Sequence, residues 1–162
     1  MASLIRGWFF TLHALGVMLF DSVAFKAVVS NGLLLDGSGK KMSKRLGNVV
    51  NPFDAIDKYG ADANRWYMIS NSPPWDNLRF SLDGVQEVSR KFFGTLFNTY
   101  SFFALYANID GFSYSEDKIA VAERPEIDRW VISLLNSLVA DCDRLYEEYE
   151  ATKATRLIQD FV

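Results

Sequence analysis

Hydrophobic and polar positions alternate differently in the two halves of the chain. Residues 7–20 (GWFFTLHALGVMLF) are apolar nearly all round, which predicts a buried helix rather than an amphipathic surface one. Phe25-Lys26-Ala27-Val28-Val29 is short and β-branched between polar flanks, and predicts a strand. Leu33-Leu34-Leu35 is a second short apolar run, stopped by the turn cluster Asp36-Gly37-Ser38-Gly39, whose glycines permit positive φ. Leu46-Gly47-Asn48 breaks the chain again. Asn51 then reads as an N-cap with Pro52 at the first helical position, the helix running to Tyr59 with Gly60 as a left-handed terminator. Asp62 is placed to cap a further helix over Ala63–Ser70, which Pro73-Pro74 cannot continue.

Beyond those prolines the period is helical throughout. Val85, Val88, Phe92, Leu96, Thr99 and Phe103 form one stripe at spacings of three and four. After a polar loop, Pro125 at N1 opens a helix whose stripe is Ile127, Val131, Leu134, Leu138, Cys142 and Leu145. A third helix begins near Thr152, with Ala154, Leu157, Ile158 and Phe161 on its apolar side. The expected architecture is α/β then all-α: residues 1–75 carrying parallel strands, and residues 76–162 an incomplete helical bundle.

Composition narrows the chemistry. Of 162 residues, 49% are hydrophobic and 23% charged, enough for a core and too few charges for wholesale disorder. The apolar stretch from Leu12 to Val29 is broken by His13, Asp21, Ser22 and Lys26, so no membrane span is expected. No secretory signal is visible, and a cytoplasmic location is the expectation. Cys142 is the only cysteine and His13 the only histidine, which leaves no disulfide, no cysteine metal cluster and little for a histidine triad or zinc site. Residues 1–81 hold nine Lys/Arg against six Asp/Glu; residues 82–162 hold eight against fourteen. A nucleic-acid binder should be basic along a whole face, whereas this chain is basic chiefly at Lys40, Lys41, Lys44 and Arg45. That pattern points to a compact anion.

Glycines on the entry side of this loop let the backbone bend, and its cations surround one concave point. Such a loop suits a polyphosphate whose leaving group gains charge during reaction. The spacing is not that of a Walker loop. From charge alone, a solvated basic hairpin turn is the plainer reading.

The words around it favour chemistry. Lys41-Met42-Ser43-Lys44-Arg45 resembles the KMSKS signature of class I aminoacyl-tRNA synthetases. The match extends from Asn31-Gly32-Leu33-Leu34-Leu35-Asp36 through Gly39–Asn48 to Pro52 and Tyr59-Gly60-Ala61-Asp62. Arg6-Gly7-Trp8-Phe9, Ser72-Pro73-Pro74-Trp75-Asp76-Asn77 and Arg90–Leu96 resemble the isoleucyl branch, so that the likeness covers nearly the whole chain.

The resemblance implies the C-terminal half of a Rossmann-like catalytic fold over 1–75 and the start of a helical anticodon-binding domain over 76–162. It implies ATP with Mg2+ as substrate, isoleucine and tRNA(Ile) as partners, and adenylate formation followed by transfer to tRNA. By position, Lys44 matches the lysine that binds the triphosphate and steadies departing pyrophosphate, and Lys41 a supporting lysine. Met42 and Ser43 match positions that bring the loop backbone near the nucleotide, Gly32 a position near the adenine, and Trp8 a wall of the isoleucine pocket. No protein-bound metal is implied.

Departures are equally specific. The family has Asp-Gln and one further residue before Arg-Gly-Trp-Phe; this chain has Ser3, Leu4 and Ile5, so either the site is altered or Met1 to about Ile5 is foreign sequence. Nothing around His13 matches a His-Ile-Gly-His motif, and His13 is read as a packed helix residue. An internal fragment, inactive alone and weakly self-associating through bare apolar edges, is the expectation. Alternatives are a related valyl, leucyl or methionyl enzyme, or a non-catalytic tRNA-binding module, which the acidic second half disfavours.

Overall fold

A computed structural model describes residues 5–115 and 117–162, with the side chains of Ile5 and Arg6 outside the description. Ser3 and Leu4, where the sequence departs from the family pattern, lie outside the described residues. A π-helical turn, Ile5–Phe9, runs into α1 (Phe10–Phe20). Then follow β1 (Leu34–Leu35), a 3-10 turn (Lys44–Leu46), α2 (Pro52–Tyr59), α3 (Ala61–Asn71) and β2 (Leu78–Arg79). Helix α4 (Leu82–Val88) passes through a π-helical turn (Ser89–Phe93) into α5 (Gly94–Ile109), and α6 (Glu126–Glu147) and α7 (Ala151–Phe161) close the chain. The fold is mostly helical around one two-stranded sheet. Its strands are parallel, Leu34 opposite Leu78 and Leu35 opposite Arg79, with α2 and α3 in the crossover.

The core lies where α3, β2 and α4 meet. Ala63, Tyr67, Phe80 and Val85 are buried together, with Met42, Val50, Tyr59, Val88 and Phe93 packed against them. Tyr67 meets Phe80 edge-on at 5.7 Å, and Trp66 stacks on Phe92 at 4.2 Å. The Tyr67 hydroxyl donates to the Arg79 carbonyl at 3.0 Å, and burial pushes that phenol above its ordinary pKa. Packing is continuous through the Pro73-Pro74 turn, because β2 returns to β1 and α7 packs on α3.

Local chemistry accounts for the crossover. Asn51 caps α2, its Oδ1 accepting from the Phe53 amide at 3.1 Å with Pro52 at N1, as the sequence predicts. Gly60 ends α2 with φ 84° and ψ 153°, an extended glycine-only conformation rather than the expected left-handed helical one. Helix α3 therefore starts at Ala61, and Asp62, expected as its cap, sits inside the first turn and pairs with Arg65. The buried amide of Asn64 binds the junction by donating to the carbonyls of Ala55 and Gly60.

Three expectations fail for one physical reason: the neighbour needed to complete the contact is not there among the described residues. Helix α1 forms but is not buried; Met18 is 80% and Phe20 77% exposed, and chiefly Phe25 returns to cover it, reaching Phe9 and His13. Residues 25–29 are irregular rather than a strand, since no second strand runs beside them to accept their backbone hydrogen bonds. The stripes of α5 and α6 are helical as predicted, yet Leu96, Phe103, Ile127, Val131 and Leu134 are exposed. Only the end of α6 at Leu145 and the start of α7 at Thr152, Ala154 and Thr155 are buried. Helix α6 begins at Glu126, with Pro125 one place earlier than expected, at the cap. Accessible surface totals 12706 Å², against about 8,200 Å² for a compact monomer of 18.4 kDa. No described helix is long and apolar enough to cross a membrane.

Candidate functional site

The basic segment folds as a hairpin hung on β1. Asp36 N–H donates to the Lys40 carbonyl at 2.8 Å, Gly39 N–H to the Asp36 carbonyl at 2.9 Å, and Leu35 bridges Lys41 in antiparallel fashion. Gly39 takes φ 83°, which a side chain would resist, and this turns the chain back sharply. Met42 is drawn into the core cluster, so it anchors the loop. Ser43 then caps the 3-10 turn, its Oγ accepting from Leu46 N–H at 3.3 Å.

This anchoring leaves Lys40, Lys41, Lys44 and Arg45 exposed on either side of a half-buried methionine. A fifth cation joins them. Strand pairing puts Arg79 opposite Leu35, and a Cβ on Gly39 would lie 3.5 Å from the Arg79 guanidinium carbon. None of these five cations is ion-paired among the described residues, whose ion pairs lie on α3, α6, α7 and the α4–α5 rod. Exposed cations at one turn, with no carboxylate paired to them among the described residues, have the chemistry to attract a compact anion.

The one carboxylate inside the loop, Asp36, is engaged by neutral donors. Its Oδ1 accepts from Ser38 N–H at 2.9 Å, Ser38 Oγ at 2.7 Å and Lys40 N–H at 2.9 Å, and its Oδ2 from Asn48 Nδ2 at 2.7 Å. The Ser38 hydroxyl first, then the Asn48 amide and the Lys40 N–H, hold its pKa well below the usual carboxylate range.

At the foot of β1, Gly32 donates its N–H to the Pro74 carbonyl at 2.8 Å, and Leu33 N–H goes to Asn77 Oδ1 at 2.8 Å. Here a Cβ on Gly32 would fall on the Asp76 carbonyl, so the close backbone approach demands glycine. Asn31, Gly32, Leu34, Met68, Ile69 and Pro74 help line a cleft of about 440 Å³ beside this contact. Trp8 stands apart in the π-helical turn, 65% exposed. A neighbouring apolar cleft is lined by Phe9, Phe10, His13, Phe25, Val28 and Ser30. His13 is half-buried there, and its Nδ1 has no hydrogen-bond partner among the described residues. No group of three or more His, Cys, Asp or Glu side chains comes together among the described residues.

The structure thus joins Lys41, Met42, Ser43 and Lys44 in one hairpin, with Gly32 on the strand leading into it and Trp8 on a separate rod. Sequence reasoning missed Arg79, whose place depends on a pairing 44 residues away from Leu35, and the roles of Asp36 and Asn48. The polar pair was visible as residues bracketing the basic run; Arg79 had no local signal.

Residues 2–81 match the family model of class I tRNA synthetases (I, L, M and V). The isoleucine–tRNA ligase of Bacteroides thetaiotaomicron is 68% identical over 97% of this chain, and that of Cytophaga hutchinsonii 67% identical over the same share. In Dehalococcoides mccartyi the corresponding ligase is 48% identical, again over 97%. The chain spans about one-seventh of these relatives, 14–15% of their length. Among solved structures, a leucyl enzyme of Agrobacterium radiobacter K84, in a ternary complex with tRNA and LeuAMS, aligns with TM-score 0.74. That alignment covers 94% of this chain and 20% of the other at 22% identity, a likeness of fold.

Proposed function

We propose, because residues 2–81 match the family model of the class I tRNA synthetases, that this chain is a segment of an isoleucine–tRNA ligase, which joins isoleucine to ATP and passes the adenylate to tRNA(Ile). The observation that carries this reading is 68% identity with such a ligase along 97% of the chain. The exposed cationic hairpin supplies its mechanism. Lys44, seconded by Lys41, holds the triphosphate and stabilises charge gathering on pyrophosphate as the α–β phosphate bond breaks. Magnesium arrives with ATP, held by its phosphates.

In this reading residues 1–75 are the C-terminal part of a Rossmann-like nucleotide-binding domain, and residues 76–162 open a helical anticodon-binding domain. Met42 and Ser43 set the loop backbone beside the nucleotide. The aliphatic cleft at Gly32 suits a flat adenine, and Trp8 closes the isoleucine pocket from its own rod. The protein works in the cytoplasm. Expressed alone, this chain binds phosphate weakly, self-associates through its bare apolar faces and forms no isoleucyl-adenylate.

Isoleucine-dependent ATP–pyrophosphate exchange tests the proposal. The full-length ligase should exchange, and Lys44→Ala should slow adenylate formation by about 10²–10³ while leaving isoleucine affinity nearly unchanged. An unaltered rate would remove Lys44 from this role, and leucine- or valine-dependent exchange would reassign the substrate.

A further inference from the structure

The side chains of Asp36 and Asn48 meet across the base of the lysine hairpin. Asn48 Nδ2 donates to Asp36 Oδ2 at 2.7 Å and, more weakly, to the Lys41 carbonyl at 3.3 Å, while its Oδ1 accepts from the Ser43 amide at 2.9 Å. Asp36 Oδ1 holds the amide of Lys40 at 2.9 Å. Backbone groups of Lys40 and of the signature residues Lys41 and Ser43, on the two sides of Met42, therefore end on one carboxylate–amide pair.

We propose that Asp36 and Asn48 are positioning residues for adenylate formation: their mutual hydrogen bond fixes the backbone from Lys40 to Ser43, and so aims Lys41 and Lys44 at the nucleotide phosphates. This rests on the ligase reading. Two features argue for positioning over simple charge balance. The acceptor sites of Asp36 face neutral donors, so its charge is engaged by the backbone and not by a lysine that must remain available. Asn48 also satisfies one donor and one acceptor on opposite sides of Met42, which fixes the direction of the peptide between Lys41 and Lys44. A phosphate-binding loop held in advance loses less conformational freedom when ATP arrives.

An exchange of the two groups tests it in the full-length ligase. Asp36→Asn brings two amides face to face, and Asn48→Asp brings two carboxylates. Each is expected to raise the KM for ATP and lower kcat of pyrophosphate exchange, together by about 10–100-fold in kcat/KM, with the KM for isoleucine unchanged. The double variant Asp36→Asn/Asn48→Asp restores the mutual bond with its polarity reversed and leaves an oxygen for Ser43 N–H. It should recover at least tenfold over either single variant. Hydrogen exchange of the Lys40 and Ser43 amides is the readout that needs no activity: faster in both single variants, slow again in the exchange. Single variants that match the wild type in both readouts overturn the proposal. An exchanged pair as impaired as its parents at wild-type melting temperature overturns it too. A wild type without isoleucine-dependent exchange, but with the amide pattern intact, sinks the ligase reading and keeps the clamp.

Discussion

Thr152 donates its hydroxyl to the carbonyl of Ile69 at 2.7 Å, 83 positions earlier in the chain. The same oxygen reaches the Ser72 carbonyl at 3.2 Å, and one turn on, Arg156 donates to the carbonyls of Ser70 and Asn71 at 2.9 Å each. Helix α7 thereby satisfies three of the last four carbonyls of α3, and places a cation at the negative end of that helix. Thr152 is almost fully buried, so losing its hydroxyl leaves acceptors unpaired. Thr152→Val is expected to cost about 1–2 kcal/mol, and Thr152→Ser much less, in denaturant unfolding. Arg156→Ala should cost about 1 kcal/mol, less at high salt.

Gly32→Ala should be among the more damaging single substitutions. The added methyl meets the Asp76 carbonyl, which belongs to the backbone and cannot rotate away. The β1–β2 contact must open, at about 1–3 kcal/mol, read as a lower melting temperature. Gly37→Ala in the exposed turn, where nothing stands nearby, is the control and should leave melting unchanged.

Tyr149 turns the chain from α6 into α7 with φ 61°, a left-handed conformation unfavourable to a bulky residue. Its N–H still closes on the Tyr146 carbonyl at 3.1 Å, and Glu150 N–H on Leu145 at 2.8 Å. Tyr149→Gly should therefore stabilise by about 0.5–1 kcal/mol, checked by thermal unfolding. A loss would mean that the exposed ring packs in solution.

Acid should loosen the hairpin late. The folded-state pKa of Asp36 lies below its ordinary value of about 3.9, so its contribution is complete above that pH and fades only as pH falls beneath it. Amide protection of Lys40, corrected for intrinsic exchange, is expected to be flat from neutral pH to about 5 and to decline below about 4. In Asp36→Asn that decline should vanish. A decline centred near pH 6 would implicate another group.

Local chemistry was legible in the residues themselves. Asn51-Pro52 announces a capped helix, Asp36-Gly37-Ser38-Gly39 a turn, and the Lys41–Arg45 words a family, because each effect is complete within a few positions. Burial was not legible. The all-round apolarity of residues 7–20 describes an environment that this chain does not itself supply, so the helix forms and its faces stay bare. Residues 25–29 have strand composition and no second strand beside them among the described residues. Arg79 enters the cationic group only through parallel pairing with β1, and no spacing rule reaches that far.

The π-helical turn at Ser89–Phe93 gives the long rod from Leu82 to Ile109 a twist in phase. Such a turn holds one residue more than an α-turn, which advances everything beyond it by about 100° around the axis. Val85 before that turn and Phe92 within it are buried, while Phe97, Phe102 and Phe103 beyond it are exposed. Deleting one residue inside that turn would rotate the outer rod as a unit, and change which of its rings any neighbour meets without altering a single ring.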